Sequence, residues 1–256
     1  DGAPEVHVVD VAGGPPRRLT YWGSDFTRTL GWTGDGRVLA VSAVAEPFRS
    51  RTWAYAVPLD GGPPERLPYG PVNAVAGPGP GGAVVVGVHG NRRGAAAWKR
   101  YRGGTAGQLW IDSDGSGTFS RLLADLGGQL EDPAWFGDRL VFVSDHEGYG
   151  NIYSCRADGG DLQRHTDHGD FYARAAHSDG RRVVYQCAGE LWLLDELSAT
   201  VEPRRLEFTL GGSGSGLARF AVDAAANLAA IAPDRTGRAS AIEVRGTVHW
   251  VAHRDG

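Results

Sequence analysis

The chain has 256 residues, of which 41% are hydrophobic and 22% charged, and its formal net charge is −4. This composition is typical of a globular protein with a sizeable core, and the negative charge argues against general nucleic-acid binding, which requires a basic surplus. The apolar runs are far shorter than the roughly 20 residues that span a bilayer. Cys155 and Cys187 predict two buried thiols rather than a disulfide framework.

Five segments in chain order share one plan: an apolar strand, a Gly/Asp turn, then an arginine followed by an apolar or ring residue. They are residues 5–20, 52–68, 107–123, 150–166 and 189–207. Their arginines are Arg18, Arg66, Arg121, Arg164 and Arg205, with spacings of 48, 55, 43 and 41 residues. Such a period predicts a repeat architecture.

Strand pairs broken by tight turns lie between these segments, with turns at residues 34–36, 79–82, 137–138 and 179–180. Asp-Gly between apolar runs favours a hairpin, because glycine adopts the positive φ that such turns require. Each repeat is therefore predicted to be a four-stranded antiparallel sheet. The predicted fold is an all-β propeller, incomplete at its N-terminal side, with blades at 27–68, 72–124, 132–166 and 171–207 and a half blade at 5–20.

The stretch "GGSGSG" at residues 211–216 interrupts the repeats and predicts a flexible linker. It would divide a propeller at residues 1–210 from a further blade at 217–256. That blade is interpreted as the first of a second propeller, and the alternative is another blade of the same ring.

Two polar stretches could hold a metal. Residues 112–119 resemble the first half of a calcium loop, but Leu123 stands where the loop needs a bidentate glutamate. Residues 164–172 contain four possible ligands, His165, Asp167, His168 and Asp170. The two histidines are three residues apart on a loop, which does not define a coordination geometry, and no third partner completes one. Both stretches are interpreted as turns, and neither a metal nor a cofactor is predicted.

A third polar group comprises Glu131, Asp132, Asp145, His146 and Glu147, and residues 144–153 are interpreted as the tip of a hairpin. "GGSGSG" does not fit the G-x-S-x-G motif of hydrolases, and no α/β segment could carry such a turn. No catalytic residue is therefore predicted in this chain.

Several blocks of sequence resemble the six-bladed propeller of tricorn proteases. They are "AEPFRS" (45–50), "ERLPYGPVN" (65–73), "WKRYRGGTAGQLWID" (98–112), "SDHEGYGNIYSC" (144–155), residues 161–187 and "ELWLLD" (190–195). The resemblance covers residues 1 to about 210, and residues 236–256 resemble the start of the seven-bladed propeller that follows in that family.

This resemblance implies a non-catalytic part of a large cytosolic serine protease that trims proteasome-derived peptides. Proteases of this type combine two propellers, a PDZ module and an α/β catalytic core, and form hexamers. The implied role is channelling of substrate or product and assembly. The implied partners are peptides, other domains of the same protease and further copies of it, with no nucleic acid or membrane.

The resemblance also implies a basic loop that holds the carboxylate of a peptide. The corresponding interval here is residues 23–25, which has no arginine pair; Arg28 lies beside it, and Arg92 and Arg93 are a possible substitute. Arg100 and Arg102, with Lys99, are interpreted as a segment that connects blades, and contact with a peptide in the channel is the alternative.

Two other functions are compatible with a propeller. One is a stand-alone TolB-like module for protein interaction, and the other is the propeller cap of a prolyl-oligopeptidase-type enzyme. Residues beyond this chain would discriminate them, because the first predicts a secretory leader and the second an α/β-hydrolase domain directly downstream.

Overall fold

The computed structural model describes residues 2–48, 51–89, 99–198, 201–209 and 220–254. The chain divides into two compact units, residues 1–207 and 208–256. Within the described residues the regular elements are antiparallel strands, apart from a 3₁₀ turn at Pro80–Gly82. No helix in these ranges is long and apolar enough to cross a membrane.

The first unit begins with a two-stranded sheet of β1 (His7–Val8) and β2 (Arg17–Arg18). Four sheets of four strands follow, here named the first to fourth blades. The first contains β3 (Arg28–Trp32), β4 (Val38–Ser42), β5 (Trp53–Val57) and β6 (Glu65–Pro71). The second contains β7 (Ala74–Ala76), β8 (Val84–Val88), β9 (Gln108–Asp112) and β10 (Ser120–Leu122). The third contains β11 (Leu130–Phe136), β12 (Arg139–Ser144), β13 (Asn151–Cys155) and β14 (Gln163–Arg164). The fourth contains β15 (Arg174–Ser178), β16 (Val183–Cys187), β17 (Glu190–Leu194) and β18 (Arg204–Arg205).

The two middle strands of each blade are the most buried, and in the third blade β12 is buried from its second residue and β13 throughout. A strand covered on one face alternates between apolar and polar residues. In the third blade the middle strands are instead buried on both faces, because neighbouring sheets cover them, and β13 buries the polar Asn151 and Ser154 together with its apolar residues.

Apolar clusters lie between consecutive sheets in chain order. Val85 and Leu109 of the second blade pack with Phe142 of the third. Val141 of the third blade packs with Tyr185 of the fourth. Equivalent clusters join the β1–β2 sheet to the first blade and the first blade to the second. Sheets stacked face to face in this order confirm the predicted β-propeller fold.

The recurring arginine marks the outer edge of each sheet. The five arginines lie in the last strands, which are β2, β6, β10, β14 and β18. The residue after each arginine turns toward the neighbouring strand: the Leu19 amide donates to the Val6 carbonyl at 2.8 Å, and the His165 amide donates to the Ile152 carbonyl at 2.9 Å. Cys155 and Cys187 are buried free thiols, as predicted.

The second unit contains one three-stranded sheet in its described residues, with β19 (Leu228–Pro233), β20 (Ala239–Val244) and β21 (Thr247–Ala252). The turn between β19 and β20 is closed by Asp234, whose carboxylate accepts bonds from the Thr236 and Arg238 amides. The predicted linker at 211–216 lies outside the described residues.

Candidate functional site

The first strands of the blades form the inner edge of the first unit. β11 contacts both β7 and β15, so these edge strands lie side by side although they belong to different sheets. A register shift interrupts three of the inner strands, between Thr29 and Gly31, between Glu131 and Ala134, and between Arg174 and His177. Bulges of this kind redirect side chains, and here they do so at the shared inner edge.

Arg28 and Asp132 connect blades at this edge. The Arg28 guanidinium donates to the Asn73 carbonyl at 2.5 Å, which joins the first blade to the second. The Asp132 carboxylate accepts from the Ala176 amide at 3.3 Å, which joins the third blade to the fourth. Burial raises the pKa of Asp132, and the nearby charges of Arg28 and His177 oppose that rise. Arg28 and Asp132 border one narrow recess at the inner edge.

The segment Lys99–Arg102, which we call the basic segment, is fixed to the third blade by Asp145. This buried carboxylate accepts from the Arg102 guanidinium and from the Arg100 and Gln129 amides, each at 2.9 Å. The Arg100 side chain donates to the Gly148 carbonyl at 2.8 Å. Arg100 and Arg102 therefore hold the basic segment on the β12–β13 turn.

Lys99 lies at a separate pocket. Its ammonium is 5.3 Å from the centre of the Tyr172 ring, and the Arg174 guanidinium is 5.4 Å from the same ring. These residues and the β16–β17 turn enclose a cavity of about 290 Å³, named here the Lys99–Arg174 pocket. The structure therefore brings Lys99 together with Arg174, a residue that the sequence did not single out.

The remaining basic candidates have different surroundings. Arg28 contacts the second blade, whereas Arg100 and Arg102 contact the turn of the third. Arg92 and Arg93 lie outside the described residues. Contact of any of these arginines with a peptide stays a prediction.

A buried serine–histidine pair was not found from sequence. The Ser154 hydroxyl lies 2.8 Å from His165 Nε2, and Arg139 Nε donates to the same hydroxyl at 2.8 Å. His165 Nδ1 is buried and has no partner among the described residues, so no carboxylate orients this imidazole as a catalytic base. Burial lowers the pKa of His165 to about 4. The pair joins β13 to the end of β14 and is structural.

The two stretches weighed as metal sites form turns. Asp112 accepts bonds from the Ser116 and Gly117 amides, which closes the loop that resembled a calcium site. In the other stretch His168 lies 2.9 Å from the Tyr185 hydroxyl. Within the part of the chain that the structure describes, no cluster of three acidic, histidine or cysteine residues could hold a metal.

Comparison with known proteins identifies the family. Residues 1–200 match the family model of the tricorn protease N-terminal beta propeller domain. The chain belongs to the tricorn protease family. It is 56% identical over 256 residues to Tricorn protease homolog 1 of Streptomyces coelicolor, covering 100% of this chain and 24% of that protein. Tricorn protease of Thermoplasma acidophilum is 32% identical over 204 residues, covering 77% and 18% respectively. The chain thus spans about a quarter or less of these tricorn relatives.

Solved structures agree with this tricorn assignment. The crystal structure of the tricorn protease matches with a TM-score of 0.76 and 28% identity, over 97% of this chain and 24% of that one. TolB from Acinetobacter baumannii matches with a TM-score of 0.57 and 17% identity, over 98% and 60%. The likeness to TolB shows a shared propeller fold alone.

Proposed function

We propose that this chain is a non-catalytic propeller portion of a tricorn-like serine protease, in which it guides peptides to or from a catalytic domain elsewhere in the protein. The observation that carries the proposal is the family match over residues 1–200, together with charged groups gathered at the inner edge of the blades. Arg28 and Asp132 border one recess there, and Arg174 lies at the start of the neighbouring inner strand.

A role in assembly extends this proposal. Residues 1–210 would form part of a six-bladed ring, 211–216 a linker, and 217–256 the first blade of a second ring. The compact unit at 208–256 supports this division. The whole protein would be a cytoplasmic hexamer that acts on peptides. The relatives named as tricorn homologues favour this function over a stand-alone TolB-like module.

Blocking the inner edge tests the proposal. Within this chain Cys155 and Cys187 are buried, so a cysteine placed at exposed His177 on β15 is modified with a bulky maleimide in a full-length protein whose other reactive cysteines have been replaced by serine. The modified His177→Cys protein is expected to hydrolyse a long fluorogenic peptide severalfold more slowly, because the adduct obstructs the path beside β15. The control is Gln163→Cys on the outer strand β14.

Modification of the control is expected to leave the rate unchanged. Equal rates for the two modified proteins would contradict passage of peptides along the inner edge. Loss of activity in both would point to damage to the assembly and would also count against the proposal.

A further inference from the structure

Four of the five recurring arginines are paired with a glutamate of their own sheet. The pairs are Arg18–Glu5 at 2.9 Å, Arg66–Glu46 at 3.3 Å, Arg164–Glu147 at 3.0 Å and Arg205–Glu190 at 3.8 Å. In each sheet the glutamate lies before, or at the start of, the strand that pairs with the last strand. A carboxylate that neutralises the outer arginine is therefore part of the repeat.

Arg121 of the second blade lacks this partner. Within the described residues its guanidinium forms no ion pair, and the loop between β8 and β9, residues 89–107, contains no aspartate or glutamate. Asp112, the acidic residue of β9, is buried and accepts bonds from the Ser116 and Gly117 amides. Arg121 is exposed, so its guanidinium is accessible to a carboxylate from outside the chain.

The position of the missing carboxylate is identified by comparison with the fourth blade. The segments "GQLW" at 107–110 and "GELW" at 189–192 occupy the same place in their blades. The tryptophan of each lies opposite the recurring arginine of the last strand. Gln108 therefore stands where the fourth blade has Glu190, and the second blade has a neutral amide in place of the carboxylate.

A pocket of about 720 Å³ opens beside Gln108 and Trp110, between the first and second blades, and we call it the Trp110 pocket. Tyr69 and Phe119 extend its aromatic wall, with ring centres 6.1 Å apart. Arg121 lies on the same face of the sheet as Trp110, because residues directly opposite each other on antiparallel strands point to the same side. Exposed arginine beside aromatic side chains is the composition that protein interfaces favour.

We propose that this corner of the second blade is a docking site for another protein, which presents a glutamate side chain to Arg121 and an adjacent apolar side chain to the Trp110 pocket. The incoming carboxylate takes the place that Glu190 holds in the fourth blade, and the guanidinium donates parallel bonds to its two oxygens. Arg51 also borders the pocket, and no acidic residue of the described ranges does so, which favours an acidic partner over a basic one.

Cyclic peptides joined head to tail test this proposal, because they have no terminal carboxylate and represent an exposed loop of a partner. Their binding to the full-length protein is measured by fluorescence anisotropy. The first peptide contains glutamate next to leucine, the second has glutamine in place of the glutamate, and the third has alanine in place of the leucine. The wild type is expected to bind the first peptide about threefold to fivefold more tightly than the second, as for an exposed ion pair. It should also bind the first more tightly than the third, since leucine fills apolar space.

Arg121→Gln is expected to abolish the preference for the glutamate peptide over the glutamine peptide, because the cation is lost. Gln108→Glu should abolish it as well, since it supplies a carboxylate to Arg121 from within the blade. The matched control is Arg205→Gln at the corresponding position of the fourth blade, and it should keep the preference of the wild type. The two peptides are compared within each variant, so the result stays informative even if a substitution lowers stability.

Equal binding of the glutamate and glutamine peptides by the wild type would overturn the proposal. A preference that survives Arg121→Gln or Gln108→Glu would also overturn it, and so would loss of the preference in Arg205→Gln. Equal binding of the leucine and alanine peptides would overturn the assignment of the Trp110 pocket. The site lies on the outer strand and does not rest on passage of peptides along the inner edge, which the modified His177→Cys protein tests separately.

Discussion

Asp145 and His165 are polar residues whose roles depend on burial. Asp145 neutralises Arg102 and caps two backbone amides, so a segment distant in sequence is attached to the third blade. Removing the partly exposed Arg102 guanidinium would leave the buried Asp145 carboxylate without its ionic partner. His165 instead stays neutral, held between Ser154 and the interior of the blade.

His165 makes stability depend on pH in a predictable direction. Burial lowers its pKa from 6.5 to about 4, with Arg139 contributing. Between these pH values the unfolded chain binds more protons than the folded one, so stability falls as the pH decreases through this window. In His165→Gln the fall in melting temperature between pH 7 and pH 4.5 is expected to be smaller by a few degrees.

Thermal melts at both pH values check this expectation. His7→Gln on the exposed strand β1 is the control and should keep the pH dependence of the wild type. If the melting temperature of His165→Gln falls between pH 7 and pH 4.5 as steeply as that of the wild type, the account of His165 is contradicted.

Neighbouring blades pack closely where a turn of one blade meets the inner strand of the next. Gly79 lies in the turn between β7 and β8, and a Cβ atom there would come within 2.2 Å of the Trp135 ring on β11. Trp135 also donates from Nε1 to the Ala76 carbonyl at 3.3 Å. The turn of the second blade thus packs directly on the inner strand of the third.

Gly79→Ala is expected to lower the free energy of unfolding by about 1–3 kcal/mol, because the Trp135 ring must move from its packed position. Urea denaturation measures this change. Gly127→Ala is the matched control, since nothing lies within 4 Å of a Cβ at that position, and it should be close to neutral. Similar unfolding free energies for the two variants would argue against tight packing between these blades.

Sequence patterns predicted the blades because strands and hairpins are local. Apolar runs such as residues 140–143 in β12, and the Gly/Asp turns that bound the hairpins, mark the strands without knowledge of distant contacts. The Arg102–Asp145 contact joins residues 43 positions apart, and no local pattern indicates that pairing. The Ser154–His165 pair was within reach, since pairing β13 with β14 and following the recurring arginine places His165 opposite that strand.

At the scale of the whole chain, the stacked sheets explain how short strands become stable. No four-stranded sheet of this size can cover both of its apolar faces alone, and each blade obtains a cover from its neighbours. The same stacking leaves the first strand of every blade at a common inner edge. The charged residues that distinguish this edge belong to different blades, so they meet only when the blades are assembled.

The most direct test of the account is a structure of the full-length protein with a bound peptide, trapped by an inhibitor of the serine protease activity that we propose for it. The account predicts density for the peptide beside the inner strands β3, β7, β11 and β15, within reach of Arg28 or Arg174. Peptide density that reaches the proposed catalytic domain only by a route away from these strands would contradict it.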